Sequence, residues 1–579
     1  MPEKILIIGG VAAGPKTACR LKRLAPEKEI TIIDQDSLIS YGGCGIPYYV
    51  SGDISDEKEL RSTSFHMARD ESFFAQAKGV RVLANTRALA IDRPGKSVQV
   101  ENLLSGQRES LPYDKLVLAT GSRPNRIPLP GLDLAGVYLI SDLHQAIKIK
   151  EELVQGKVGR AVVIGGGAIG IEMAEAFGDL WGIDTTIVEF MPQLLPNLID
   201  PVFSGMLAHH LRSHGVKIHL SESAQRLEGD EQGRVCRVVT GMRTLEADLV
   251  IMAVGVRARS ELAQAAGLLV GPSSGIVVNN RLQTSDPNIY AAGDCIESLH
   301  LVSGKKMLAP LGSLANRQGR IVADNLAGLP TTLEGIVGSF IMKAFECCIG
   351  ATGLSYDRAK AEGFDAGSVL TAQSDRAHFF PNQAVIPLQM VFDKGSRKVL
   401  GVQGFGPMND AVLARIDAAA GLIAQGATID RFSNLELAYA PPFATALDAL
   451  NATANVADNF AAGRLRTVSV EEFMAWMESQ TLRPGNWRAL DIRHPQEARI
   501  FTEIYGERWL AIPYNEMRRR HSELPPDKTL LIVCDAGTRS YEVQSFLDSL
   551  GQRNTLVLGG GFNVIRRLGP AWWPTPVNK

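Results

Sequence analysis

Apolar positions in this chain gather into short continuous runs, each ending at a glycine loop or at one polar residue. The run KILII at 4–8 leads into GGVAAG at 9–14, and Ala18, Leu21 and Leu24 then recur at helical spacing. A second run, ITII at 30–33, ends in Asp34, twenty residues beyond Gly14. The order repeats later: AVVI at 161–164 opens into GGGAIG at 165–170, and TTIV at 185–188 ends in Glu189, nineteen residues beyond Gly170. From about Gly338 the pattern shifts to shorter β-like runs at 340–345, 389–392 and 399–402. A last buried strand, TLLIV at 529–533, ends at Cys534 and turns into a helix near Ser540. Continuous apolar strands alternating with helices predict parallel sheets, hence an α/β fold.

Each strand, glycine loop, helix and acid-ended strand is a dinucleotide fingerprint, with a tight turn, a helix N-terminus for pyrophosphate and an acid for a ribose hydroxyl. In the first, Gly9, Gly10, Ala13 and Gly14 form the loop, Asp34 is the acid, and Val11 replaces the central glycine. Two later stretches point to FAD there: LVLATGS at 116–122, whose Ala119, Thr120 and Gly121 make a strand-to-glycine crossing, and TSDPNIYAAGD at 284–294, whose Gly293 and Asp294 suit a ribityl chain. In the second, Gly165, Gly167 and Gly170 complete GxGxxG. Glu189 accepts a ribose diol and repels a 2′-phosphate, so NADH is expected over NADPH. Glu172, in the first turn of that helix, suits either a contact near nicotinamide and flavin or a favourable helix N-terminal charge. One fold interrupts the other, which implies hydride passing from NADH to FAD. The expected architecture is α/β with two Rossmann-like dinucleotide-binding domains, an α+β segment and a further α/β domain. The divisions are 1–149 and 270–330 for FAD, 150–269 for NADH, 331–450, a linker or short connecting helix at 451–464, and 465–579; 579 residues accommodate that number.

Between these folds lies SYGGCGIPYYVSG at 40–52. Pro47 suits the opening turn of a helix, and Cys44 just ahead of it would meet the helix dipole and free amides, which lower a thiol pKa. No second cysteine lies within several residues, so a redox-active Cys44 must pair with a substrate sulfur or an oxidant; a buried structural cysteine is the alternative. At Cys534 the loop amides suggest an anion nest. Four residues separate Cys534 from Arg539, a sulfur-sized loop, and Asp535 puts a negative charge inside it. The seven cysteines form no disulfide framework and no zinc spacing, and no metal site is expected. Cys347 and Cys348 sit in an apolar run that favours burial. A formal net charge of −2 gives no drive toward nucleic acid or anionic membranes, and the basic run at 518–521 reads as a solvated helix face. No apolar run approaches a membrane span, and the first residues run straight into a strand, so a cytoplasmic protein is expected.

Residues 1 to about 450 resemble the pyridine nucleotide–disulfide oxidoreductase family. The stretch at 40–49 is similar to the single-cysteine branch that holds coenzyme A disulfide reductases and NADH-dependent persulfide reductases, with NADH oxidases and peroxidases as cousins. The resemblance implies that Cys44 sits beside the flavin and forms a mixed disulfide or persulfide. It also implies that the segment after Gly338 joins two subunits into a homodimer. AYAPPF at 438–443 is similar to a motif whose tyrosine, here Tyr439, reaches the partner's cysteine. Where the family has a second tyrosine this chain has Phe379 and Phe380, which keep the packing and lose the hydroxyl. Arg20, Arg23 and Arg61 would grip the nucleotide end of coenzyme A, solvated surface arginines being the alternative, and Ser40 is a further candidate substrate contact. CDAGTRS at 534–540 resembles the rhodanese active-site loop, over roughly 465–579. The implied enzyme reduces low-molecular-weight persulfides or disulfides, coenzyme A thiols favoured, and releases thiol and hydrogen sulfide. Cys534 and Arg539 would handle sulfane sulfur. Rival readings are coenzyme A disulfide reduction beside an independent sulfurtransferase, an NADH oxidase or peroxidase, and a sulfur-carrying or redox-sensing module.

Overall fold

In a computed structural model that describes residues 2–478 and 486–574, the run at 4–8 is the central strand of a five-stranded parallel sheet. Lys4–Ile8 lies between Glu29–Ile33 and Lys115–Leu118, with Ile289–Ala291 and Arg81–Leu83 outside them. Its register sets Ile8 against both Ile33 and Leu118, so the glycine loop, Asp34 and Ala119 all emerge at one sheet edge. The second fingerprint builds a matching parallel sheet, in the order Lys217–His219, Asp184–Val188, Arg160–Ile164, Leu249–Met252 and Val137–Tyr138. Strand residues buried on both faces explain the uninterrupted apolar runs: Ile5, Ile7, Ile32, Val117 and Val163 are at most 1% exposed.

These two sheets belong to one compact unit, Met1–Pro192 with Gly215–Ile336; the other comprises Gln193–His214 and Val337–Lys579. Helix Pro201–Ser213, which chain order assigns to the NADH domain, therefore groups with the second unit. There Asp200 accepts the Gln403 amide and the backbone amide of Tyr356.

The second unit contains an antiparallel five-stranded sheet, Phe340–Ala344, Cys347–Gly353, Val399–Pro407, Val385–Asp393 and Ala366–Ser374, in that spatial order. Its C-terminal part is an α/β layer on a parallel sheet ordered Thr467–Val468, Thr555–Leu558, Thr529–Val533, Trp487–Asp491 and Trp509–Ala511. The core of that layer holds an ion pair: Arg493 donates to Asp491 at 2.8 Å and stacks 4.4 Å over Phe562, with both side chains at most 2% exposed.

The segment at 451–464 is no flexible tether. It lies largely within helix Ala449–Ala461, capped by Asp448, with Leu450, Thr453, Ala454 and Ala457 buried. Thr453 Oγ1 meets Thr371 Oγ1 at 2.7 Å, which fixes the helix on the antiparallel sheet.

Candidate active site

The two glycine loops are built alike. Gly9 and Gly165 sit at φ +116° and +114°, in the left-handed region. A Cβ on Gly9 would fall 2.0 Å from Ala119 O, and one on Gly165 would fall 2.3 Å from Ala253 O. Gly14 and Gly170 let the following helices press onto their loops, since a Cβ there would meet Gly9 O at 1.9 Å and Gly165 O at 2.0 Å. Each acid closes back on its loop: Asp34 Oδ2 accepts Gly10 N at 2.6 Å, and Glu189 Oε2 accepts Gly166 N at 2.5 Å. Helices Ala13–Leu24 and Ala168–Gly178 both start without a side-chain cap. A Cβ on Gly167 would find open space. Uncapped amides above an open glycine fit the pyrophosphate of a dinucleotide. Thr120 Oγ1 donates to Arg259 O at 2.6 Å, Gly121 turns at φ +69°, and Ser122 Oγ donates to Asp294 Oδ2 at 3.0 Å. Ala119, Thr120, Gly121, Gly293 and Asp294 thus line one crossing beside the first loop.

Cys44 lies in a short 3-10 turn, Gly43–Gly45, ahead of helix Ile46–Ser51 with Pro47 in its first turn. The helix end that serves its sulfur is another one. Gly312 opens the fifteen-residue helix Gly312–Leu326, its amide bonds to the Cys44 sulfur, and a Cβ there would stand 3.4 Å from Sγ.

The expected lowering of this thiol does not occur. Burial by its surroundings, then the Glu172 and Asp294 carboxylates, push it up, while the Gly312 amide pulls it down. Cys44 is exposed as a residue. Glu172 is itself pushed up to about 7, by burial and then by Glu175. Tyr48 is pushed up to about 12, by burial and then by Glu172. Cys44, Tyr48, Glu172 and Asp294 form one electrostatic cluster drawn from three distant stretches. Nothing local at 40–52 announces it, although Glu172 and Glu175 stand out as two acids in an otherwise apolar helix.

The basic residues divide. Arg20 is engaged by Asp324 at 2.9 Å, and Arg23 is exposed on the surface. Arg61 lies 3.7 Å from Glu57, and its Nε is buried without a hydrogen-bond partner. Leu60 O, which accepts Gly42 N at 2.8 Å, also accepts Arg69 at 2.9 Å, so Arg61 and Arg69 border the cysteine loop. Arg69 escaped the sequence reading because the bend at 62–68 separates it from that loop. Ser40, expected to touch substrate, is 5% exposed, and its amide donates to Gly10 O of the first loop.

In the second unit Tyr439 is 51% exposed. It lines a cavity of about 700 Å³ together with Gln373, Phe379, Val456 and the loop residues Ala536 and Gly537. Cys534 ends strand Thr529–Val533 at 1% exposure and accepts Gly537 N at 3.1 Å, Gly537 turning at φ +89° into helix Thr538–Ser549. Arg539 is engaged by the loop's own acid. It donates to Asp535 at 2.8 Å, and Arg566 approaches the same carboxylate at 3.4 Å. Asp535 thus pairs with the arginine that the rhodanese resemblance associates with sulfur.

Two dinucleotide folds around one reachable cysteine define a class of nucleotide-linked sulfur reductase. The chain belongs to the pyridine nucleotide-disulphide oxidoreductase family: the family profile matches residues 3–313, and that of its dimerisation domain matches residues 341–450. It is similar to a NAD-dependent persulfide reductase from A. fulgidus, 36% identical with a TM-score of 0.90 over 97% of this chain and 99% of that one. It is similar to reduced CoADR-RHD from Bacillus anthracis, 30% identical with a TM-score of 0.89 over 98% of this chain and 99% of that one. An NAD(P)H coenzyme A polysulfide/persulfide reductase of Pyrococcus horikoshii is 35% identical over 456 residues, 79% of this chain and 98% of that protein. Among the described residues, no helix is long and apolar enough to cross a membrane.

Proposed function

We propose that this protein is an NADH-dependent, FAD-containing reductase of low-molecular-weight persulfides and disulfides, with coenzyme A thiols as the favoured class. The observation that carries the reading is Cys44: one reachable thiol, bonded by the Gly312 amide, facing a carboxylate that titrates near neutrality. With FAD held by Gly9, Gly10, Ala13, Gly14, Asp34 and Asp294, and NADH by Gly165, Gly167, Gly170 and Glu189, the bound pair supplies the two electrons that return oxidised Cys44 to its thiol.

Cys44 thiolate attacks the inner sulfur of a persulfide RS–SH. The S–S bond breaks, a mixed disulfide between Cys44 and RS forms, and hydrosulfide leaves with the electron pair. Two electrons and a proton then release RSH, so the turnover consumes NADH, a proton and RSSH and yields NAD⁺, RSH and hydrogen sulfide. Glu172, protonated near neutrality, holds a proton beside the leaving sulfur. Arg61 and Arg69, bordering the cysteine loop, offer charge for a nucleotide phosphate.

The dimerisation domain supports a homodimer in which Tyr439 donates across the interface. The Cys534 loop supports a rhodanese domain over 465–579 that hands sulfane sulfur to the reductase site, and seven cysteines without a disulfide fit the cytoplasm. The test is Cys44→Ser: persulfide and disulfide turnover should vanish while FAD binding and flavin reduction by NADH persist. Normal persulfide turnover in that variant would make Cys44 structural.

A further inference from the structure

Helix Pro201–Ser213 ends in a pair of histidines. His210 and His214 are four apart, hence on one face, and their ring centroids lie 4.6 Å apart. Opposite them is the hairpin joining Phe340–Ala344 to Cys347–Gly353. Its register pairs Ala344 with Cys347, so Phe345 and Glu346 alone make the turn. Phe345 takes φ +52°, a conformation this tight turn ordinarily gives to glycine or asparagine. The Phe345 ring stacks on His214 at 4.1 Å and 15°. The turn thereby delivers Glu346 and Cys347 to the histidines: Glu346 Oε2 lies 3.0 Å from His214 Nε2 and 3.7 Å from His210 Nε2. Ligand atoms of His210, Glu346 and Cys347 all lie within 4.8 Å of one another.

We propose that His210, His214, Glu346 and Cys347 bind a borderline divalent cation, zinc foremost, as a structural clip between the helix and the hairpin. Nitrogen and thiolate donors with one carboxylate suit zinc, whereas calcium and magnesium require oxygen ligands. Bonds of zinc length place tetrahedral ligand atoms about 3.3–3.8 Å apart, so modest side-chain rotation closes the shell. His214 Nδ1 already bonds to His210 O at 3.0 Å, the backbone support that frees Nε2 of a ligating histidine. His210 Nε2 contacts Ala344 O at 3.1 Å and would exchange that contact for the metal.

Without metal, Cys347 is a thiol at neutral pH, as an ordinary cysteine is. Binding forms a metal–sulfur bond and releases the Cys347 proton to solvent. Thiolate and carboxylate together then balance the two charges of the cation. The Arg567 guanidinium, anchored on Val385 O and Asn563 O, also acts on Cys347 and favours the thiolate. No short cysteine–histidine motif encodes this cluster; the signal was His-x₃-His followed far downstream by Glu-Cys in a hairpin.

The test uses untagged, flavin-loaded full-length chain stripped with EDTA. Zinc titrated against a chromophoric chelator should bind at one equivalent per chain, with release of one proton. X-ray absorption of that form should show one sulfur among nitrogen and oxygen neighbours. His210→Ala and Cys347→Ser should each weaken zinc about tenfold or more and leave flavin content and flavin reduction by NADH unchanged. No uptake, or equal affinity in the double variant, overturns the proposal. Should the double variant fail to fold, a sulfur-free zinc shell in the wild type overturns it.

Discussion

Glu172→Gln offers the sharpest test of the electrostatics around Cys44. The carboxyl is raised from 4.5 to about 7 by burial and by Glu175. At 1.36 kcal/mol for each tenfold change in proton affinity, the folded chain disfavours ionised Glu172 by about 3 kcal/mol. The sign follows from proton binding. Between roughly pH 4.5 and 7 the folded state keeps this proton and the unfolded state does not, so stability falls as pH rises through that window. About 2.5 kcal/mol of the first unit's stability is lost between about pH 5 and 8 from this one group. Glutamine has nearly the same shape and cannot ionise, so the variant keeps that stability. The assay is thermal release of flavin, followed by its fluorescence, at a series of pH values for both proteins. The wild-type midpoint should drop relative to the variant across the window. In parallel, the variant should lose the limb near pH 7 in persulfide turnover. Identical pH dependence in both proteins would refute a raised Glu172 and its role as proton holder.

Glu189→Ala removes the acceptor of the Gly166 and Met191 amides, and the NADPH-to-NADH ratio of kcat/KM should rise on the order of tenfold; an unchanged ratio in stopped-flow flavin reduction excludes Glu189 as the selector. Tyr439→Phe subunits mixed with Cys44→Ser subunits should recover some active sites, and demonstrably mixed dimers without recovery would place both residues in one chain's site. Arg493→Met leaves the Asp491 carboxylate, 0% exposed, without its cation. The melting transition of the C-terminal layer should then report a loss of about 3–5 kcal/mol, and an unshifted transition would mean that Trp509 and the backbone amide of residue 493, which donate to Asp491 at 3.2 and 3.1 Å, hold the carboxylate without the cation.

The dinucleotide folds were legible because their chemistry is local. Gly9, Gly14, Gly165 and Gly170 answer to backbone approaches within one strand–loop–helix unit, and Asp34 and Glu189 follow at a fixed strand end. The environment of Cys44 was not legible for the opposite reason. Glu172, Asp294 and the Gly312 amide reach the sulfur from stretches more than a hundred residues away; burial and the two carboxylates reverse the pKa shift that the following helix suggested, while the amide opposes them. Arg539 shows what a motif spacing leaves out: Asp535 pairs with it within one turn, and the spacing carries no information about that contact. The partners of Ser40 and Arg20, and the place of Arg69 beside the cysteine loop, were not legible because exposure and contacts are tertiary properties.

Helix Ala449–Ala461 changes what kind of machine the C-terminal layer belongs to. A free tether would make meetings between two thiols a statistical matter, tuned by its length and indifferent to point changes. A helix capped by Asp448 and keyed to the sheet through Thr453 and Thr371 behaves as a bracket. On the proposed function, sulfur leaving Cys534 would travel on a carrier small enough for the cavity that Tyr439 and Gly537 line. Coupling of the two chemistries would then rise and fall with the supply of such carriers rather than with the length of a tether.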